Sequence, residues 1–358
     1  MGAAGATNVG AGGQILFRSS MDRVEQWLAS RTFHHRQFSD VRELARLKEQ
    51  QRLRVSLCIP TLNEARTIGA VTAALRPLRD DVGLLDEIAV IDSDSQDQTL
   101  ALAAAAGADV YLAADILPAM GRGCGKGENL WKAVHQLQGD LLVFIDGDVA
   151  NMHPRFVAGL VGPLLRQPEI GYVKACYQRS DRAIDADGDV SDGGRVTEIL
   201  VRPLLSLHFP ELTGMIQPLA GEYAARRSLL EQLAFPVGYG VELAHLIDLW
   251  TKHGLSVFAQ TDMDQRRHRR RSNQELGRMA AALLQTFNRR LAQPDGADYA
   301  ASLQQFTRTD GEWLRQSRRI VEFERPPLAQ VPAYWLRRTA LAASVGQAEP
   351  AALASVEC

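Results

Sequence analysis

The chain has 358 residues, 46% hydrophobic and 23% charged, with a formal net charge of −2. That length accommodates one large α/β domain with terminal additions as readily as two domains, and the near-neutral charge excludes a global attraction to nucleic acid or membrane. Cys58, Cys124, Cys176 and Cys358 are scattered without a Cys-x-x-Cys pair, against a disulfide framework or zinc ribbon. No apolar stretch is long enough to span a bilayer, and the Gly/Ala-rich start lacks the pattern of a secretory leader, so a cytoplasmic protein is expected.

In chain order, residues 1 to about 13 have a composition expected to be disordered, and Met21 to Arg54 has that of an exposed helical arm. Arg54 to Ile59 reads as the first strand, ended by Pro60, with helical spacing of Ile68, Val71, Leu75 and Leu78 behind it. The strand-then-helix pattern recurs three times: Asp86 to Ile91 with Gln96 to Ala106, Asp109 to Leu112 with Lys126 to Leu137, and Asp140 to Ile145 with Pro154 to Leu165. Such alternation predicts an α/β fold whose mostly parallel central sheet is covered by helices on both faces. Beyond it come a strand over Gly171 to Tyr177, an acidic loop over Ser180 to Asp192, and a helical segment from Gly193 to His208. A turn and short strand follow at Gln217 to Tyr223, then a helix opened by Glu242 and a strand over Leu255 to Ala259. Asn273 to Leu291 and parts of Tyr299 to Val321 read as helices, and the tail from Pro326 shows little pattern.

The most informative stretch is Val143-Phe144-Ile145-Asp146-Gly147-Asp148, an apolar run that stops at two carboxylates separated by one glycine. Parallel sheets bind ligands beyond the C-terminal ends of their strands, and Gly147 permits the turn that lets both carboxylates converge on a hard dication. Asp-x-Asp alone is equally the pattern of a solvated acidic turn. Two earlier strand ends, Pro60-Thr61-Leu62-Asn63-Glu64 and Asp92-Ser93-Asp94-Ser95, belong on the same edge, although Asn63 and Ser95 also suit helix caps. Gly121 to Glu128 has the glycines of a phosphate-binding loop or of a flexible connector. It is not a Walker loop, since Met120 and Gly127 occupy positions where that motif needs Gly and Ser/Thr. Gly194, Arg195 and Thr197 at a helix start suit an anion or are simply a helix start with an exposed Arg. Residues 265 to 271, Gln-Arg-Arg-His-Arg-Arg-Arg, read as a ligand-facing basic cluster, a solvated face or an RNA patch. Within it His268 offers a metal ligand or a structural histidine.

Together with Gly221-Glu222-Tyr223-Ala224, Gly238-Tyr239-Gly240-Val241-Glu242 and Arg266-x-His268, these motifs resemble, in order and from about Arg54 to Leu291, the glucosyl-3-phosphoglycerate synthases. Those are retaining glycosyltransferases of the GT-A fold. The resemblance implies a nucleotide-sugar-binding half over 54–177 and an acceptor and metal-loop half over 178–295. An N-terminal arm (1–53) and a helical C-terminal extension (296–358) flank them. It implies that Pro60, Glu64, Ser93, Lys126, Asp146 and Arg266 hold the nucleotide sugar, and that Leu219, Ala220, Tyr239 and Glu242 surround the sugar. Gly194, Arg195, Thr197 and Arg270 would hold 3-phosphoglycerate, and Asp148 and His268 would ligate Mg²⁺, with Mn²⁺ or Co²⁺ able to substitute. Glu242, Asp148 and Arg195 carry the catalytic assignment. Arg270 stands where the family usually has Asn, which adds positive charge beside the acceptor. The donor implied is UDP-glucose, with GDP-mannose as the alternative, in a homodimer without nucleic-acid or membrane partners. Competing readings are a sugar nucleotidyltransferase, a polyprenyl-phosphate glycosyltransferase and a non-catalytic anion-binding protein.

Overall fold

The computed structural model describes residues 22–179, 194–267, 272–291, 302–309, 312–320 and 322–346. The expected disordered start, the acidic loop over 180–192, and His268 and Arg270 lie outside these. Among the described residues eight strands form one sheet: β1 (Thr32–His34), β2 (Val55–Thr61), β3 (Glu87–Asp92), β4 (Asp109–Leu112), β5 (Leu141–Phe144), β6 (Tyr172–Arg179), β7 (Tyr223–Arg226) and β9 (Phe258–Arg266). Their order is β1-β9-β6-β7-β5-β2-β3-β4. The short β8 (Phe235–Pro236) pairs with β12 (Glu324–Arg325) outside it.

Both faces of the sheet's centre are apolar, which is why β2, β3 and β5 read as largely hydrophobic runs rather than alternating ones. Leu142 and Phe144 of β5 join a core with Tyr172, Tyr223 and Phe258, whereas Leu141, Val143 and Ile145 point into a second core with Leu57, Val90 and Phe156. Helices Lys126–Gln136 and Val241–His253 contribute to the first core, and Ile68–Leu75 and Arg155–Arg166 to the second.

The direction of β7 matters most for function. It runs antiparallel to both β5 and β6, with Phe144 opposite Tyr223, while the remaining pairs in the sheet are parallel. A reversed strand presents its entrance where its neighbours present their ends. Gly221 and Glu222, which lead into β7, therefore sit beside the Asp-Gly-Asp turn after β5.

Three expectations are corrected. The N-terminal arm is more than an exposed helix: after a helix over 22–31, β1 adds to the sheet beside β9, and Trp27 and Phe38 are buried. The Trp27 indole donates to the Phe258 carbonyl at 3.1 Å, so the arm is anchored by its aromatic residues. Within the stretch over Tyr299 to Val321, the described residues form an antiparallel hairpin, β10 (Ser302–Thr309) with β11 (Glu312–Arg319), and are not helical. Asp310-Gly311 between the strands is a two-residue hairpin signature, and it outweighs a helix-compatible composition. The unpatterned tail contains a helix, Pro332–Gly346, whose Tyr334 is buried in the first core. Among the described residues no helix is long and apolar enough to cross a membrane.

Candidate active site

The ends of β2 and β3 are locked together by hydrogen bonds from neutral donors. Buried Asp92 accepts from the Thr61 hydroxyl at 2.6 Å, the Ser95 hydroxyl at 2.6 Å and the Ser95 amide at 2.7 Å. Asn63 and Ser95 do not cap their own helices. The Asn63 amide donates to Ser95 Oγ at 2.7 Å, and Asn63 Oδ1 accepts from the Gln96 amide at 2.9 Å, so each side chain closes the other's loop. Asn63 and Asp94 take positive φ (58° and 71°), a conformation that Asn and Asp tolerate better than most residues. The Ser93 hydroxyl donates to Asn129 at 2.8 Å, and the Glu64 amide to Thr99 at 2.8 Å. Thr67 donates to the Gly147 carbonyl at 2.7 Å, which ties the β2 loop to the Asp-Gly-Asp turn. Pro60, Glu64 and Ser93 thus line one edge with Asp146, as expected.

The acidic centre is held by cations instead. Lys126 Nζ lies 2.5 Å from Asp146 Oδ1 and 2.7 Å from Glu242 Oε1. Burial pushes the Lys126 ammonium down, but these two carboxylates outweigh it and hold its pKa above the ordinary lysine value. Arg266, the last residue of β9, is buried with its Nε 2.8 Å from Glu222 Oε1. Its Nη2 lies 3.1 Å from Asp146 Oδ2 and 2.9 Å from Asp148 Oδ1. Tyr177 completes the cluster, donating to Glu222 Oε2 at 2.7 Å beneath the guanidinium. Burial opposes the charge on Arg266, and Glu222, Asp148 and Asp146 overcome it, so the group stays firmly protonated. A Cβ at position 221 would meet the Asp146 carboxylate and the Lys126 ammonium and force them to shift, so glycine lets the β7 entrance approach them as they stand.

Two expectations for these segments change. Arg266 is neither a solvated charge nor part of an independent basic patch: β9 extends further than its apolar run and carries Arg266 into the acidic centre. The glycine loop before Lys126 is no phosphate cradle at its helix start, because the amides of Gly127 and Glu128 donate to the carbonyls of Gly238 and Val237 at 3.2 and 3.0 Å. Buried Glu128 is clamped by Arg325 at 2.7 and 2.8 Å, while the same guanidinium binds the Met120 and Gly121 carbonyls. The glycines allow close packing against the 237–238 backbone and thereby bring Lys126 to Glu242.

Among the residues expected around the sugar and acceptor, Leu219 and Ala220 precede the β7 entrance, and the Ala220 carbonyl accepts from the buried Lys174 ammonium at 2.8 Å. Burial lowers the Lys174 pKa to about 8. Tyr239 is 40% exposed on the loop before Glu242. That loop is held from the C-terminal extension: buried Glu322 accepts from the Gly238 amide at 3.0 Å and from Gly240, and burial raises its pKa to about 7. Gly194 adopts φ 109° ahead of the helical turn bearing exposed Arg195 and buried Thr197. Arg195 Nη1 donates to Asn273 Oδ1, which joins this turn to the start of helix Asn273–Arg290, beyond the basic loop.

The sequence reading left Glu222, Asp92, Asn129, Glu322 and Arg325 unassigned. An acid inside the apolar Leu-Ala-Gly-Glu-Tyr-Ala-Ala run was a usable signal for Glu222. Glu322 and Arg325 belong to no motif, and their contacts cross 84 and 197 residues of sequence.

Residues 56–187 match the family described as Glycosyl transferase family 2. Over 315 residues the chain is 45% identical to the glucosyl-3-phosphoglycerate synthase of Petrotoga mobilis, covering 86% of this chain and 96% of that one. The crystal structure of mannosyl-3-phosphoglycerate synthase from Rubrobacter xylanophilus superposes with a TM-score of 0.77 at 34% identity, covering 86% of this chain and 99% of that one. Glucosyl-3-phosphoglycerate synthase from Mycobacterium tuberculosis, in complex with Mn²⁺, UDP-glucose and phosphoglyceric acid, superposes with a TM-score of 0.71 at 41% identity, covering 81% and 94%. The same enzyme with Mg²⁺ and UDP gives 0.73 at 40% identity, covering 84% and 98%.

Proposed function

This chain belongs to the glucosyl-3-phosphoglycerate synthase family, and we propose that it transfers glucose from UDP-glucose to 3-phosphoglycerate, releasing UDP and glucosyl-3-phosphoglycerate. Glucose is preferred to mannose because identity is 45% and 41% to the glucosyl enzymes against 34% to the mannosyl enzyme. The observation that carries the reading is the convergence of Asp146 and Asp148 on one guanidinium nitrogen, at 3.1 and 2.9 Å. Two carboxylates aimed at one cationic point from a strand end are a hard-oxygen donor set that fits Mg²⁺ or Mn²⁺. Asp148 would hold the ion, with His268 assigned as its second ligand by family resemblance and Asp146 shared between ion and nucleotide. When bound there, a divalent ion would supply charge neutralisation for the departing diphosphate.

The chain's own groups supply the rest. Pro60, Glu64 and Ser93 border the nucleotide, and Lys126 and Arg266 place two fixed positive charges where the diphosphate separates from the sugar. Glu242, positioned by Lys126, faces the sugar with Leu219, Ala220 and Tyr239. Gly194, Arg195 and Thr197, with Arg270, bind the acceptor's anionic groups. Family resemblance implies that configuration is retained without a side-chain nucleophile, the departing phosphate assisting the acceptor hydroxyl on the same face. Within the single GT-A domain, 54–177 forms the nucleotide half and 178–295 the acceptor half. The protein works as a cytoplasmic homodimer, for which Ile199 and Leu207, 77% and 76% exposed on one helical segment, offer apolar surface. Light scattering at the 39.3 kDa monomer mass would remove the dimer.

The deciding experiment incubates the protein with 3-phosphoglycerate, Mg²⁺ or Mn²⁺, and either UDP-glucose or GDP-mannose, and identifies phosphorylated glycosides by mass spectrometry. A glucosylated product with UDP-glucose is expected. Product from GDP-mannose alone would reverse the donor assignment, and no product with either would overturn the reading.

A further inference from the structure

A second cluster of metal-ligating side chains lies outside the acidic centre. At the end of β1, His34 and His35 both turn their imidazoles toward Asp264 of β9: His34 Nε2 is 3.0 Å from Oδ1 and His35 Nε2 is 2.7 Å from Oδ2. The three donor atoms lie within 4.8 Å of one another, and the imidazole centroids are 4.6 Å apart. We infer that His34, His35 and Asp264 form a second divalent-metal site, selective for imidazole-binding ions such as Zn²⁺, Ni²⁺ or Co²⁺, that staples the N-terminal strand to β9.

Donor spacing supports this. Ligand atoms about 2.1 Å from one ion stand about 3.0 Å apart when cis in an octahedron and about 3.4 Å apart in a tetrahedron. The nitrogen-to-oxygen separations here, 3.0 and 2.7 Å, approach the octahedral spacing, so small rotations of the rings and carboxylate admit an ion. Asp264 holds a left-handed backbone (φ 65°), which is uncommon outside glycine and directs its carboxylate to the two rings. The cavity lined by Asn151, His153, Asp264 and Gln265 adjoins the cluster and leaves room for water as the remaining ligands.

The surroundings select the kind of ion. Arg155 and Arg267 line the same cavity, and Arg36 approaches Asp264 to 3.9 Å with its side chain 77% exposed and able to swing away. Nearby positive charge disfavours a weakly held hard ion, whereas imidazole nitrogens bind borderline first-row ions with far greater affinity. Binding also has one local cost: His34 Nδ1 accepts a long bond from the Arg36 amide at 3.3 Å, and a metal on Nε2 requires the proton on Nδ1.

The consequence is mechanical. Asp264 lies two residues before Arg266, so an ion at this site would fix the strand end that delivers Arg266 to Asp146 and Asp148. The test titrates ZnCl₂ into chelator-stripped full-length protein without nucleotide, read by calorimetry and thermal melting, with Co²⁺ absorption reporting the ligand set. The wild type should bind an ion that Asp148→Asn retains with similar affinity, and both should melt at higher temperature with it. His34→Gln/His35→Gln should bind at least tenfold more weakly. Asp264→Asn, which tolerates the left-handed backbone, should weaken binding similarly and guards against misfolding of the double variant. No binding by the wild type, binding abolished by Asp148→Asn, or binding unaffected in both His34→Gln/His35→Gln and Asp264→Asn would overturn the proposal.

Discussion

Asp92 and Asp146 follow apolar strands on either side of β2, at the same edge of the sheet, yet they are held in opposite ways. Asp92 receives two hydroxyls and one amide, neutral donors with fixed directions, and is 1% exposed. Asp146 receives an ammonium and a guanidinium from segments 20 and 120 residues away in sequence, and its side chain remains 25% exposed. Neutral, directional donors make a carboxylate part of the scaffold, whereas cations hold it in a form that another cation can share or replace. Of two strand-end aspartates that look alike in sequence, one is thus a staple and the other is held as the proposed ligand role requires.

The largest expected effect tests this contrast directly. Asp148→Asn, beside Asp146 in the cation-held group, should lower kcat roughly 10²- to 10³-fold in Mn²⁺ without a matching loss of thermal stability, since a neutral amide binds a hard ion poorly. Asp92→Asn should do the reverse: melting shifts by the equivalent of about 1–3 kcal/mol, from mispaired buried donors, while kcat of the folded fraction changes little. If steady-state kinetics and calorimetry found both losses in both variants, the distinction would fail.

Glu322 sharpens the comparison with a third arrangement, a buried carboxylate held chiefly by backbone amides. Its burial costs more than the Gly238 and Gly240 amides return, which raises its pKa from 4.5 to about 7. The native state therefore binds a proton that the unfolded chain has released. Stability from this group is complete below about pH 4.5 and is lost as pH rises through about 7, by up to about 3 kcal/mol. Calorimetric melting from pH 4 to 8 should show that slope in the wild type and a flatter one in Glu322→Gln. An unchanged slope would mean that Glu322 ionises normally.

The smallest effect concerns the exposed acceptor side. In the proposed assignment Arg195 offers a planar fork to the acceptor's anion, so Arg195→Lys keeps the charge but loses bidentate geometry. KM for 3-phosphoglycerate should rise about tenfold, a change worth about 1.4 kcal/mol, while KM for UDP-glucose stays put. A rise confined to UDP-glucose would exchange the two pockets.

The alternation of strands and helices, the apolar run ending at Asp146-Gly147-Asp148, and the polar turns after β2 and β3 were legible without coordinates. Each depends on local periodicity or on a turn residue, and such signals are complete within ten or twenty positions. Family resemblance implied more site roles than any single motif did. Asp310-Gly311 was also a local signal, and a helix-compatible composition masked it. Other features depended on pairings between distant segments. Nothing near Tyr223 says that β7 runs backward, yet that reversal puts Glu222 beside Arg266. Nothing near Arg266 says that β9 will carry it inward, because its neighbours in sequence are polar and its partners lie 44, 118 and 120 residues away. The same holds for the glycine loop: its composition suits a phosphate, but the Val237 and Gly238 carbonyls claim its amides. A chain encodes locally which groups it can offer, and only packing decides which are already taken.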